Sequence, residues 1–288
     1  MSEETNFRER RYRSQDDLAL YVREYGDALS PGIPVVCLGG LTRNSKDFHL
    51  LATHLSTKRR VVCPDYRGRG QSAYDPDWRH YAPATYLSDI RDLLALAQIH
   101  RAVFIGTSMG GLLAAAMAIA APAAVAGVVL NDTGPELDRE GIGRIMRYIA
   151  VDRPQPGWEE AKSHLRTLLP NLSLSSDADW QRMAENTYRM GSDGMLHFDW
   201  DVRIAKPLVE GPALPDLWPV FRALKRTPTV AIRGGASDVL SAAAFDRMAQ
   251  EKPDLVRLTL PGIGHAPSLD EPASRAVIDA FLSGLDPA

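Results

Sequence analysis

The chain has 288 residues, 45% of them hydrophobic and 24% charged, with a formal net charge of -3. That length admits one large domain, or a core domain with a smaller insertion. The near-neutral charge gives no electrostatic case for nucleic acid or an anionic membrane as partner. Two cysteines and seven histidines form no metal-ligand spacing, so no metal or cofactor is expected.

The N-terminal stretch MSEETNFRERRYRSQDD is charged and lacks the apolar core of a secretory signal. The alanine-rich run at 112–126 contains Pro122 and is too short to span a bilayer. A cytoplasmic monomer or homodimer acting on a small molecule is the expectation. Residues 9–25 read as two antiparallel strands around the polar turn Gln15-Asp-Asp. Short apolar runs follow at 34–39, 60–64, 102–106, 125–131, 228–233 and 255–260, typical of strands covered on both faces. Helical patterns lie between them at about 45–56, 83–99, 109–121, 215–225 and 241–250, with a last one at about 271–284. The alternation predicts a doubly wound, mostly parallel α/β domain. Cys37 and Cys63 fall inside two of the runs and read as buried free thiols in neighbouring strands.

The alternation fails between 131 and 228, where no strand is evident. A structureless loop of that length is improbable in a compact domain. The stretch reads instead as a helical insertion at about 135–214, between core segments 1–134 and 215–288, with Trp158, Trp180 and Trp200 along it and Trp218 just beyond.

Chemistry concentrates at the strand ends. The run Ala102-Val-Phe-Ile leads into Gly106-Thr-Ser108-Met-Gly110 and then a small-residue helix. This G-x-S-x-G pattern in a strand–turn–helix setting marks Ser108 as a candidate nucleophile, with the Met109 amide aimed at a developing oxyanion. His265, in Gly262-Ile-Gly-His265-Ala-Pro after the last strand, is the candidate base. His49, His54 and His100 read as surface or helix-end residues, His80 as a possible cavity residue, and His164 and His197 belong to the insertion. The acid that orients the base is expected at Asp238, in the loop Gly234-Gly-Ala-Ser-Asp238, on its spacing to the last strand and in the chain order Ser, Asp, His. Asp132, directly after the run 125–131, is the alternative. The loop Gly39-Gly40-Leu41-Thr-Arg43 is the expected source of the second oxyanion donor, the amide of Leu41. Gly40 and Arg43 are pocket candidates, Arg43 meeting either a substrate anion or a surface partner. Met195, Phe198, Trp200 and Trp218 either line a pocket or form the insertion's own core.

With these residues in place, the chain resembles the α/β-hydrolase superfamily along nearly its whole length. The elbow, the 39–43 loop, Asp65-Tyr-Arg-Gly-Arg-Gly-Gln-Ser72 (the form D-x-R-G-x-G-x-S) and the stretch 262–272 carry the likeness. The resemblance implies an eight-stranded sheet with a helical cap inserted after strand six, over Ser108. It also implies activity on an activated carbonyl carbon, as in carboxylesterases, enol-lactonases, haloperoxidase-like esterases and carbon–carbon bond hydrolases. Gly39-Gly40 departs from the family's usual His-Gly, and Ala266 replaces the tryptophan that tends to follow the histidine in ring-cleavage hydrolases. Ser108, in place of an aspartate, separates the chain from haloalkane dehalogenases and related epoxide hydrolases. The reading is a serine hydrolase of a small ester or lactone acting through an acyl-enzyme. The alternatives are hydrolysis of a carbon–carbon bond in a β-diketone or ring-cleavage product, and a non-catalytic binding protein on the same fold.

Overall fold

The computed structural model describes residues 6–169, 171–210 and 215–286. Its first half runs β1 (Phe7–Arg13), β2 (Ala19–Tyr25), β3 (Val35–Leu38), α1 (His49–Leu55), β4 (Val61–Asp65), α2 (Pro83–Leu96), β5 (Ala102–Thr107), α3 (Met109–Ala120) and β6 (Val125–Asn131). The intervening segment holds α4 (Arg139–Ile149), α5 (Trp158–Leu168), α6 (Asp177–Thr187), β7 (Tyr188–Met190), β8 (Leu196–Phe198) and α7 (Lys206–Val209). The chain returns to the core through α8 (Trp218–Arg222), β9 (Thr229–Gly234), α9 (Ala242–Glu251), β10 (Val256–Leu260) and α10 (Pro272–Ser283).

Eight strands form one sheet in the order β1-β2-β4-β3-β5-β6-β9-β10. β2 pairs antiparallel with both β1 and β4, and every other pairing is parallel. The inner strands are apolar without interruption because both faces are covered. Val36, Val62, Phe104, Val128 and Leu130 pack on one side with residues of α2, α3 and the intervening segment. Val35, Cys37, Val61, Cys63, Val103 and Val129 pack on the other with residues of α1 and α10. The period-two alternation thus feeds two cores from the same strands. Cys37 and Cys63 are free and buried, and burial pushes the Cys63 thiol well above its ordinary range.

β1 occupies one margin of the sheet and carries Arg8, Arg10, Arg11 and Arg13. These guanidiniums bond along the margin, Arg10 to Glu24 at 2.8 Å and Arg11 to the Gln71 carbonyl at 2.8 Å. The expected strands and helices are found, with two differences. The segment between β6 and β9 is not purely helical: β7 and β8 pair antiparallel, Tyr188 opposite Phe198, and the two strands are too short for period-two patterning to register. The helix expected near 215–225 is a short α8 followed by a 3₁₀ turn at Ala223–Arg226. The C-terminal limit expected for the insertion, residue 214, lies outside the described residues. No helix among the described residues is long and apolar enough to cross a membrane.

Candidate active site

Ser108 lies between β5 and α3, at φ 52° and ψ -118°. Few residues other than glycine adopt this conformation, and it costs of order 1–3 kcal/mol. Its neighbours show why small residues are required. A Cβ on Gly106 would lie 2.3 Å from the Gly110 carbonyl oxygen, and one on Gly110 would lie 2.1 Å from the Leu38 carbonyl oxygen. The glycines therefore let α3 start directly against the end of β3. Two bonds anchor the elbow to Asn131 at the end of β6. The Ser108 amide donates to the Asn131 carbonyl at 2.9 Å. The Asn131 side-chain amide donates to Thr107 Oγ1 at 3.0 Å and to the Pro267 carbonyl at 2.8 Å. One buried asparagine thus holds both the serine turn and the histidine loop.

His265 Nε2 lies 3.1 Å from Ser108 Oγ, and His265 Nδ1 lies 2.7 Å from Asp132 Oδ2. The three groups form a continuous relay. Asp132 is fully buried, and donors surround its carboxylate. The Gly234 amide bonds Oδ1 at 2.9 Å, and the Ser237 hydroxyl bonds Oδ2 at 2.6 Å. A buried carboxylate needs such partners to remain ionised.

Asp238, the expected acid, does not meet His265. Its carboxylate takes a two-point contact from Arg144 of α4, at 2.6 and 3.0 Å. This ion pair holds the Asp238 carboxyl below the usual aspartate range. The sheet order explains the exchange. β6 is the immediate neighbour of β5, whereas β9 lies one strand further out. Asp132 follows β6 directly, and its positive φ of 51° turns the chain beneath the histidine. Asp238 is four residues past the end of β9 and faces the intervening segment. The loop after β9 still reaches the Asp132 carboxylate, through Gly234 and Ser237. The signal in the sequence was Asp132 itself, directly after a buried strand that is apolar up to Asn131, where a charged group needs a dedicated partner.

Above the relay is a cavity of about 180 Å³. Gly40, Leu41, Arg43, Ser108 and His265 line its core side. Ile145, Tyr148, Leu165, Leu168, Met183 and Trp200 line it from the intervening segment. The Leu41 amide has no hydrogen-bond partner among the described residues, and the Met109 amide opens α3, where a helix leaves its first donors unpaired. Gly40 approaches the serine closely: a Cβ there would lie 3.8 Å from Ser108 Cβ.

Arg43 lines the cavity, but its guanidinium is occupied. It bonds both oxygens of Asp47, at 2.5 and 2.6 Å, and Thr187 Oγ1 at 2.7 Å. Of the aromatic and thioether candidates, only Trp200 reaches the cavity. Phe198 stacks on Trp200 at 4.0 Å and on Tyr188 at 5.1 Å, inside the segment's own core. Trp218 is buried with its Nε1 on Glu136 at 2.8 Å. Met195 lies at the β7–β8 turn, outside the cavity lining. The leucines and Ile145 that do the lining carried no distinctive sequence signal, since amphipathic helices turn such residues inward in any case. His80 is held by Asp75 at 3.0 Å, away from the cavity.

Polar contacts tie the intervening segment to the loops after β9 and β10. Arg144 reaches Asp238, and Ser173 donates to Glu271. The Gly264 amide, beside His265, donates to the Asn171 carbonyl at 2.6 Å. Among the described residues, one trio is close enough to hold a metal ion: Asp16, Asp75 and His80. Its two carboxylates are already bridged by Arg67 Nη1, at 2.7 and 2.6 Å.

Residues 35–279 match the model of the alpha/beta hydrolase family, and the chain belongs to that family. It is 31% identical, over 270 residues, to the 3-hydroxybutyrate-oligomer hydrolase of Cupriavidus necator, covering 91% of this chain and 92% of that protein. It is 27% identical to the 2-(acetamidomethylene)succinate hydrolase of Mesorhizobium japonicum over 258 residues, 86% of this chain and 85% of that one. The crystal structure of an alpha/beta hydrolase from Novosphingobium aromaticivorans superposes with a TM-score of 0.91 at 43% identity, covering 98% of this chain and 99% of that one. The protein is thus a member of a hydrolase family with hydrolases as relatives.

Proposed function

We propose that the protein is a serine hydrolase that cleaves a small ester or lactone through an acyl-enzyme. The observation that carries this reading is the relay from Ser108 Oγ through His265 to Asp132, at 3.1 and 2.7 Å, opening on a largely apolar cavity. In this reading His265 Nε2 accepts the Ser108 proton as Oγ attacks the carbonyl carbon. The imidazolium formed is stabilised by Asp132, whose own position depends on Gly234 and Ser237. The amides of Leu41 and Met109 receive the tetrahedral oxyanion. His265 then returns the proton to the leaving oxygen, and water, activated by the same imidazole, releases the acid and regenerates Ser108. Helices α4 to α6 act as a cap that limits access to the serine and shapes the acyl pocket.

The relative from Cupriavidus necator acts on oligomers of 3-hydroxybutyrate, as its name states. Such oligomers belong beside simple acyl esters and lactones in the substrate panel. A fluorophosphonate probe should label the protein and fail to label Ser108→Ala. Short p-nitrophenyl esters should be hydrolysed faster than β-diketones or ring-fission dienoates. A folded protein that resists the probe refutes the reading, and the reverse substrate ranking moves the chemistry to a carbon–carbon bond.

A further inference from the structure

Arg69 is fully buried and lies two residues after Arg67, yet the two guanidiniums are treated differently. Arg67 is neutralised by Asp16, Asp75 and Asp89. Arg69 meets no carboxylate among the described residues. Its Nε donates to the Leu41 carbonyl at 2.8 Å, and its Nη1 donates to the Arg67 carbonyl at 2.7 Å and the Tyr86 hydroxyl at 2.8 Å. Its Nη2 has no partner. The rings of Tyr86, Tyr81 and Tyr66 surround it at 5.0 to 5.8 Å. Arginine stays protonated even when buried, and an unpaired internal charge is expensive. The tyrosine faces offset part of that cost.

Its Nε bond goes to the loop expected to bind the oxyanion. In that loop the Arg43 amide donates to the Gly40 carbonyl at 3.1 Å, closing a turn. A trans peptide points its N–H opposite to its C=O. With the Gly40 carbonyl drawn into the turn, the Leu41 N–H is directed out of it, and Gly40 and Leu41 both line the cavity with Ser108. The next carbonyl, that of Leu41, is held by Arg69. Both peptides flanking the Leu41 Cα are therefore fixed.

We propose that Arg69 is a positioning residue for the oxyanion donor. It clamps the Leu41 peptide and places an uncompensated cation behind the loop, where it favours negative charge developing at the attacked carbonyl oxygen. The proposal rests on the serine-hydrolase reading. The test compares Arg69→Met, which keeps the stem and removes the charge, with Arg69→Lys, which keeps the charge and loses the planar fork. Arg69→Met should lose about tenfold in kcat at near-constant KM, less than loss of an oxyanion donor itself. It should lose affinity for a trifluoromethyl ketone by the same factor, and Arg69→Lys should recover part of both losses. Arg69→Gln takes the place of Arg69→Met if that variant does not fold. The parent protein and Ser108→Ala are assayed alongside, so a failure of the serine reading appears in the parent and not in the Arg69 variants. An unchanged kcat in the neutral variant overturns the proposal. Equal losses in the neutral and lysine variants also overturn it.

Discussion

Asp132 lies beside His265 while Asp238 pairs with Arg144, and this placement gives a direct test at the scale of single residues. Asp132→Asn leaves the shape of the site but presents the wrong group to His265 Nδ1. It should lower kcat by about 10⁴-fold, the order seen when a triad carboxylate is replaced by its amide. Asp238→Asn breaks only a half-exposed pair with Arg144, and steady-state kinetics should find its kcat within about threefold of the parent. The opposite ranking would return the acid to Asp238. Sequence reasoning singled out Ser108 and His265 because Ser108 is framed by Gly106 and Gly110, and His265 by Gly264 and Pro267, which mark shaped strand-end loops. It placed Asp238 rather than Asp132 beside His265 because spacing along the chain does not encode which strands are neighbours. Adjacency of β5 and β6 is a property of the sheet.

At the scale of elements, the elbow and the segment between β6 and β9 make different demands. The elbow requires that α3 start against β3 with no side chain between them. Gly110→Ala would place a methyl group 2.1 Å from the Leu38 carbonyl oxygen and 2.6 Å from that of Gly39, both backbone atoms. Urea unfolding should show a loss of about 3 kcal/mol, the upper range for overpacking. The intervening segment is tied down by polar contacts, and Glu271 is central among them. It accepts from the Ser268 amide at 2.8 Å, from the Ser274 hydroxyl at 2.7 Å and from Ser173. Burial pushes its carboxyl up, but the hydrogen bonds outweigh burial and leave it below its ordinary value. A lowered folded-state value means that the stabilisation is present above the unfolded carboxylate range and is lost as pH falls through the folded value. Thermal unfolding of the parent should therefore lose stability between about pH 5 and pH 3 more steeply than Glu271→Gln, which has no proton to gain there. Equal slopes would show that the contact contributes nothing. The helical character of this segment was legible only from its length without a strand-like run. The β7–β8 hairpin was not, because three residues per strand are too few to show alternation against helix.

For the whole molecule, the strands and most helices of the core follow from the apolar runs, since a strand buried on both faces has no choice but to be apolar. What periodicity does not reveal is which face each side chain meets, and so the cavity lining had to come from packing. The same burial makes the two cysteines inert. A thiol reagent such as dithionitrobenzoate should leave Cys37 and Cys63 unmodified in the native protein and modify both once the chain is unfolded in guanidinium. Rapid reaction in the native state would place at least one of them within reach of solvent. The arginines of β1 bear on how copies of this protein meet. A second molecule adding its own β1 alongside, in antiparallel register, would set guanidinium against guanidinium along the new seam, and like charges across a strand pair repel. The β1 margin, open as every sheet edge is, is therefore one where crowded copies turn each other away.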